Sequence, residues 1–209
     1  MARLRTYVFI DQIQPQLASF VASTAKGFNP VAGMACLYVE VAPGMEIIPL
    51  LDVALKATDV TPAIQIVERA YGLLEVHSES QAQVRQAGLA ILNAMELQEG
   101  DWYKPRVVST QIIRKVDPYQ AQLINRNRGG SMLLADQTLY IMETEPAGYA
   151  VYAANEAEKA ADITLVEVRP FGAYGRLYLC GEERDILEGS AAALQAVEAL
   201  SGVEMPKRG

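Results

Sequence analysis

Residues Glu40–Gly72 read EVAPGMEIIPLLDVALKATDVTPAIQIVERAYG, and residues Glu143–Gly175 read ETEPAGYAVYAANEAEKAADITLVEVRPFGAYG. Laid over each other without a gap, Glu40, Pro43, Ala54, Lys56, Ala57, Asp59, Thr61 and Ala70-Tyr71-Gly72 recur 103 positions later as Glu143, Pro146, Ala157, Lys159, Ala160, Asp162, Thr164 and Ala173-Tyr174-Gly175. The same offset joins Pro15 to Pro118, Ala18 to Ala121 and Gly27 to Gly130 upstream, and Leu74 to Leu177, Glu79 to Glu182 and Ala90 to Ala193 downstream. Chance supplies scattered identities, not a run of them at matched punctuation points. The chain is a tandem duplication of a unit of about 103 residues, which divides it into 1–103 and 104–209.

The totals bound the function. Apolar residues make up 51% and charged residues 21%, an ordinary globular balance that argues against disorder. Each half is long enough for its own small core. A net charge of −7 lacks the basic footprint of a general nucleic-acid binder. Cys36 and Cys180 make no disulfide framework, so a reduced, cytoplasmic setting is expected. The opening MARLRTYVFIDQIQ has neither a long apolar core nor a cleavage site, so no signal peptide is expected. No apolar run reaches membrane-spanning length.

Arg5–Ile10 reads as a strand, and Asp11–Phe28 as either a helix or a loop-rich insertion. Ala35–Val41 is a buried-strand candidate ended by Pro43-Gly44. Met45–Thr58 has Ile47, Ile48, Leu51, Ala54 and Leu55 at helical spacing, with Pro49 placed in the first turn, where its missing N–H costs nothing. Pro62–Val67 and Tyr71–His77 read as strands joined around Glu68-Arg69, and Glu79–Leu97 as an amphipathic helix with Ser78 as N-cap. After a link at Gly100–Lys104, strands fall near Val107–Ile113, Thr138–Thr144, Thr164–Val168 and Tyr174–Cys180. Helices fall near Tyr149–Ala161 and Glu182–Leu200, and a frayed tail from Val203. Each unit is thus an α/β sandwich of one sheet and two helices.

Few residues suggest chemistry on their own. Glu68-Arg69 reads as a solvated turn, and Lys56 and Lys159 as solvated helix lysines. His77, the only histidine, has no zinc spacing and no nucleophile signature around it. Glu182-Glu183 open a helix, where acids suit the macrodipole. The Gly pairs carry no phosphate-loop pattern. No catalytic residue, metal ligand or cofactor is indicated.

At the level of motifs, D-V-A-L-K-A-T-D-V (Asp52–Val60) and its echo N-E-A-E-K-A-A-D-I (Asn155–Ile163) resemble the signature helix of bacterial microcompartment (BMC) shell proteins. V-E-V-A-P-G (Val39–Gly44), V-E-R-A-Y-G-L-L-E-V-H (Val67–His77), Q-A-Q-L-I-N-R (Gln120–Arg126), A-N-E-A-E-K-A-A (Ala154–Ala161) and G-R-L-Y-L (Gly175–Leu179) extend the likeness over nearly the whole chain. The duplication resembles the fused two-domain members. A strand ahead of each signature helix and a helix closing each unit resemble their circularly permuted, gated-pore subgroup, carboxysome-associated members included.

The resemblance implies two tandem permuted BMC domains and a homotrimer shaped as a pseudohexagonal tile. Such tiles sit among shell hexamers and pentamers around an enzyme core, pass small polar or anionic metabolites through a central pore, and stack face to face in pairs. Glu68 and Arg69 would then meet their copies at a threefold axis and form a gate, which needs two packings of similar energy. Phe171 and Gly172, at the matching uncharged positions, would line the same channel; core packing of Phe171 is the alternative. Lys56 and Lys159 would lie at the tile edge, close to like charges and held by acceptors such as backbone carbonyls. The basic segment Lys104–Arg128 would attract anionic metabolites or contact the facing trimer; loop charges and inter-chain pairing are the alternative. A structural protein, not an enzyme, is expected. The rival is a soluble enzyme or metabolite-binding regulator with its ligand between the duplicated domains. A shell tile carrying a metal or redox centre is disfavoured by the lack of a cysteine near Phe171-Gly172.

Overall fold

The chain is described by a computed structural model over residues 2–206. The first half contains β1 (Arg3–Ile10), α1 (Pro15–Thr24), β2 (Ala35–Ala42), α2 (Ile47–Ala57), β3 (Thr61–Glu68), β4 (Tyr71–Ser78) and α3 (Gln81–Ala94). The second repeats it as β5 (Arg106–Ile113), α4 (Pro118–Asn125), β6 (Thr138–Glu145), α5 (Ala150–Ala160), β7 (Thr164–Arg169), β8 (Gly175–Gly181) and α6 (Glu183–Glu198). The antiparallel sheets have orders β1-β2-β4-β3 and β5-β6-β8-β7. Their registers coincide under the sequence offset: Val39 lies opposite Leu74, and Met142 opposite Leu177.

The duplicated glycines show why the register is shared. A Cβ on Gly72 would stand 2.1 Å from the carbonyl oxygen of Gly44, and one on Gly175 2.1 Å from that of Ala147. Backbone therefore touches backbone at the same point in both halves, and only glycine permits it. The short 3-10 turns Gly44–Glu46 and Ala147–Tyr149 that make this contact lead into α2 and α5. Pro49 is the third residue of α2, inside the first turn as expected.

Burial follows the strand alternation on three levels. Leu37, Val39 and Val76 face α2 and α3, where Leu51, Ala54, Val84 and Ile91 close a first core. Cys36, Tyr38 and Leu73 face the other way and join α1 and the helix-covered side of the second half, including Tyr149, Val151, Leu165 and Leu179. The outer face of the second sheet forms a small third core of Val116, Ala121, Leu133, Leu139, Val166 and Cys180 under α4. With both faces of its sheet covered, β2 is buried from Ala35 through Val41 rather than alternating with solvent.

Four expectations need correction. Each unit has a third helix, α1 or α4, beyond the two expected. Pro15 and Pro118 open these helices, each at the position that tolerates a missing N–H. The N-cap of α3 is Ser80, whose hydroxyl accepts from the Gln83 N–H at 3.4 Å, because β4 continues through Ser78 opposite Ala35. That helix stops at Ala94; Glu96 turns to φ 57°, and the Leu97 N–H returns to the Leu92 carbonyl at 2.9 Å. The tail does not fray at Val203, whose backbone bonds Trp102 and Lys104 at 2.8 and 2.9 Å. The expectation for Lys207–Gly209 lies outside the described residues.

The link between halves is anchored by Trp102, which stacks on Tyr7 at 4.9 Å between ring centroids and donates its indole N–H to the Ser201 carbonyl at 2.9 Å.

Candidate functional site

The β3–β4 hairpin carries Glu68 and Arg69 at its tip, and the β7–β8 connection carries Phe171 and Gly172. The β3–β4 turn has two residues, Arg69 and Ala70, and the β7–β8 connection has five, from Pro170 to Tyr174; each contains a positive φ, 54° at Arg69 and 99° at Gly172. The fold brings the two tips together: the Glu68 Cγ lies 4.0 Å from where a Cβ on Gly172 would stand. The Arg69 side chain is 93% exposed, and its Nε is 3.9 Å from a Glu68 oxygen, too far for a hydrogen bond. Both charged groups are therefore free to change partners. Phe171 is half-buried and packs at the margin of the central core.

The two repeated lysines have different surroundings. Lys56 is largely exposed and donates to Asp52 one turn earlier at 2.6 Å. Lys159 is two-thirds covered and bonds Glu156 at 2.9 Å and Asp11 at 3.1 Å. Within the chain the acceptors are carboxylates rather than backbone carbonyls. Burial works to raise the Asp11 pKa, but the hydrogen bond and charge of Lys159 outweigh it and leave Asp11 below its usual range. Burial opposes the charge on Lys159, and its two carboxylate partners more than compensate, so its pKa is raised.

Lys159 is one part of a polar seam between the halves that the sequence did not disclose. The Gln16 and Leu17 N–H groups at the start of α1 donate to Glu158 at 2.7 and 3.1 Å, and the Gln14 N–H donates to Asn155 at 2.9 Å. Helix α1 has no side-chain cap of its own; α5 caps it. Deeper in, Glu40 accepts from Arg5 at 2.8 Å, Thr6 at 3.1 Å and the Gly148 N–H of the other half at 2.9 Å. The recurrence of Glu40 as Glu143 marked the position without revealing this role.

Three of the six cations in the basic segment bond groups of the same chain. Arg106 bonds Glu145, Arg114 bonds Glu183 at 2.5 Å, and Arg128 donates to the Asn125 carbonyl at 2.7 Å. A cleft of about 750 Å³ between the halves is lined by Arg3, Arg5, Tyr71, Tyr103, Arg106 and Glu145. Among the described residues, no group of three or more His, Cys, Asp or Glu is placed to hold a metal ion, and no helix is long and apolar enough to cross a membrane.

The family model described as the CsoS1D N-terminal domain matches residues 4–101. The chain is 54% identical to the carboxysome shell protein CcmP of Synechococcus elongatus over 97% of its own length and 95% of that protein's. It belongs to the CcmP/CsoS1D family of carboxysome shell proteins. The family's CsoS1D of Hydrogenovibrio crunogenus is also 54% identical, over 96% of this chain and 98% of that protein. Among solved structures, the fused permuted hexameric shell protein MSM0275 of the RMM microcompartment superimposes with a TM-score of 0.93 at 42% identity, over 97% of this chain and 100% of that one. The double ringed trimeric shell protein MSM0271 gives a TM-score of 0.93 at 38% identity, over 98% of this chain and 100% of that one. The α/β architecture of two tandem permuted BMC domains and the shell-protein family expected from the motifs are thus established, and family membership places the chain in a microcompartment shell.

Proposed function

We propose that three copies of the chain form a pseudohexagonal shell tile whose central pore is opened and closed by Glu68 and Arg69. Residues 1–103 and 104–209 act as its alternating domains. The tile is a structural element rather than an enzyme; it passes small polar or anionic metabolites and stacks in pairs, a reading that the double ringed form of the related MSM0271 supports. Shell hexamers and pentamers are its neighbours, and Lys56 and Lys159 lie toward its rim.

The observation that carries this reading is the meeting of the two hairpin tips. One tip bears a half-exposed acid and an exposed base with no firm bond between them, and the other carries a glycine beside the acid. Threefold repetition places three Glu68 and three Arg69 in one ring, with Phe171 and Gly172 between them. Salt links across the axis close the hole, and their exchange for solvent opens it, an equilibrium that surface ion pairs of about 1 kcal/mol leave balanced. Structures and vesicle-flux measurements of Glu68→Ala and Arg69→Ala test it. A wider pore and loss of the closed form are expected; a pore and flux equal to the parent's remove the gate.

The cleft between the halves, lined by Arg3, Arg5 and Arg106 and by Glu145 and Glu204, favours a second reading, a ligand-binding regulator with a small polar ligand held there. That reading predicts saturable binding by a monomer or twofold dimer that does not tile.

A further inference from the structure

Helix α1 borders a cavity that the packing of the two halves leaves unfilled. It measures about 150 Å³ and lies inside one chain. Phe20 and Val21 of α1 line one side, Ile64 and Ile66 of β3 a second, and Val151 of α5 with Val168 of β7 a third. Pro170 and Phe171, at the start of the β7–β8 connection, complete the wall.

The polar groups along this wall are already engaged. Thr24 donates its hydroxyl to the Phe20 carbonyl at 2.8 Å, Glu167 accepts from the Gly129 N–H, and Arg169 is exposed. Among the described residues, the buried side-chain atoms with no hydrogen-bond partner belong to Arg5, Tyr38, Arg128 and Thr144, and none of these four lines the cavity. A water there finds no unpaired side-chain group to bond. An apolar cavity of about this size stays dry and accepts a guest such as benzene or xenon.

The duplication supplies a contrast. Under the repeat offset of 103, Thr24 becomes Asn127, Ala25 becomes Arg128, Ile64 becomes Glu167 and Ile66 becomes Arg169. The hollow at those positions in the second half, about 380 Å³, is lined by all four of these polar residues. One place in the fold thus occurs once as an apolar pocket and once as a charged one, and the apolar copy selects against charge, because an ion there has no partner.

We propose that the cavity beside α1 is a binding site for one small uncharged apolar molecule, no larger than a benzene ring, and that its occupancy biases the gate through Phe171. The site stands on the cavity alone; its effect on the gate rests on the Glu68 and Arg69 reading above. The link is short. Phe171 is half-buried at the margin of the central core and borders the cavity. The next residue, Gly172, holds its Cβ position 4.0 Å from the Glu68 Cγ. With the cavity empty the Phe171 ring has room to settle inward, and with a guest it has none. The tip beside Glu68 therefore has two supports, and whichever gate position the guest favours binds the guest more tightly by the same factor.

Benzene is the probe. Titrated into the full chain carrying labelled Ile and Val methyl groups in a deuterated background, it should shift the signals of Ile64, Ile66, Val151 and Val168 to saturation. The Gly172 amide signal should move with the same midpoint. Ile66→Phe and Ala25→Leu each add bulk to the cavity from a half-buried position, so the circular dichroism spectrum should stay that of the parent. Each should weaken benzene binding about 10-fold or more. Methyl shifts that rise linearly with benzene, or a midpoint that both variants leave unchanged, overturn the site. Saturating methyl shifts with a stationary Gly172 signal overturn the link to the gate and keep the site. Failure of the gate itself is read separately, from the pores of Glu68→Ala and Arg69→Ala, and leaves the methyl titration as it was.

Discussion

The two sheets share a backbone register and differ in what they carry on the face turned away from α2 and α3, or from α5 and α6. The first buries Glu75, His77, Cys36 and Tyr38 on one face; the second has Tyr178, Cys180, Leu139 and Ile141 at the same places. In the first, Glu75 is fully buried, accepts from the Ala63 N–H at 3.0 Å and lies 3.2 Å from His77 Nδ1. In the second, the matching face is a plain apolar core under α4. The hairpin tips diverge likewise, charged in one half and uncharged in the other. Backbone contacts between glycines and carbonyls hold the duplicated scaffold, and side-chain polarity changes around them.

The largest test is on what the halves share. Gly72→Val and Gly175→Val each force a side chain into a carbonyl now 2.1 Å from the Cβ position, and each should cost about 3 kcal/mol or more in thermal or urea unfolding. If one half tolerates the change, the common contact is not what fixes the register.

A smaller effect should separate the buried faces. Burial raises the Glu75 pKa, and the hydrogen bond and charge of His77 only partly pull it back. The ionised carboxylate is therefore disfavoured in the fold, and its cost appears as pH rises from the unfolded value of 4.5 through the folded one. Glu75→Gln should gain stability over the parent at pH 8, and the gain should vanish on acidification toward that unfolded value. Urea midpoints across this range measure it; a constant difference at all pH values contradicts the sign. Tyr178→Phe, at the matching site, should show no such trend.

The smallest test uses the tips. Arg69→Gly relieves a non-glycine residue at φ 54° and should stabilise by up to about 1 kcal/mol, whereas Gly172→Ala at φ 99° should destabilise by about 1 kcal/mol. Opposite shifts in melting temperature at the matching positions are expected; shifts of the same sign would mean that backbone strain at positive φ does not set the stability of these tips.

Much of this was legible because the repeat supplied an internal alignment. Matched Pro, Gly and Lys positions revealed the duplication and the succession of strands and helices along the chain, and the motif around Lys56 pointed to the family. Helices α1 and α4 were harder, since their caps are unlike: α1 borrows Glu158 from 141 residues away, a contact that no local pattern carries. The Ser78 assignment failed because a strand and a cap compete for the same serine, and pairing with Ala35 won. At the candidate gate, Glu68 and Arg69 read locally as a solvated turn. Their nearness to Gly172 is a property of the tertiary fold, and the threefold ring is a property of the assembly.

Trp102 gives the molecule an optical reporter. It is the sole tryptophan, stacked on Tyr7 of the first strand and bonded to Ser201 beyond the last helix, so one indole touches the beginning, middle and end of the chain. Its emission therefore registers separation of the two halves in a single wavelength shift, and the joining of the duplicated units can be followed in solution with no dye attached.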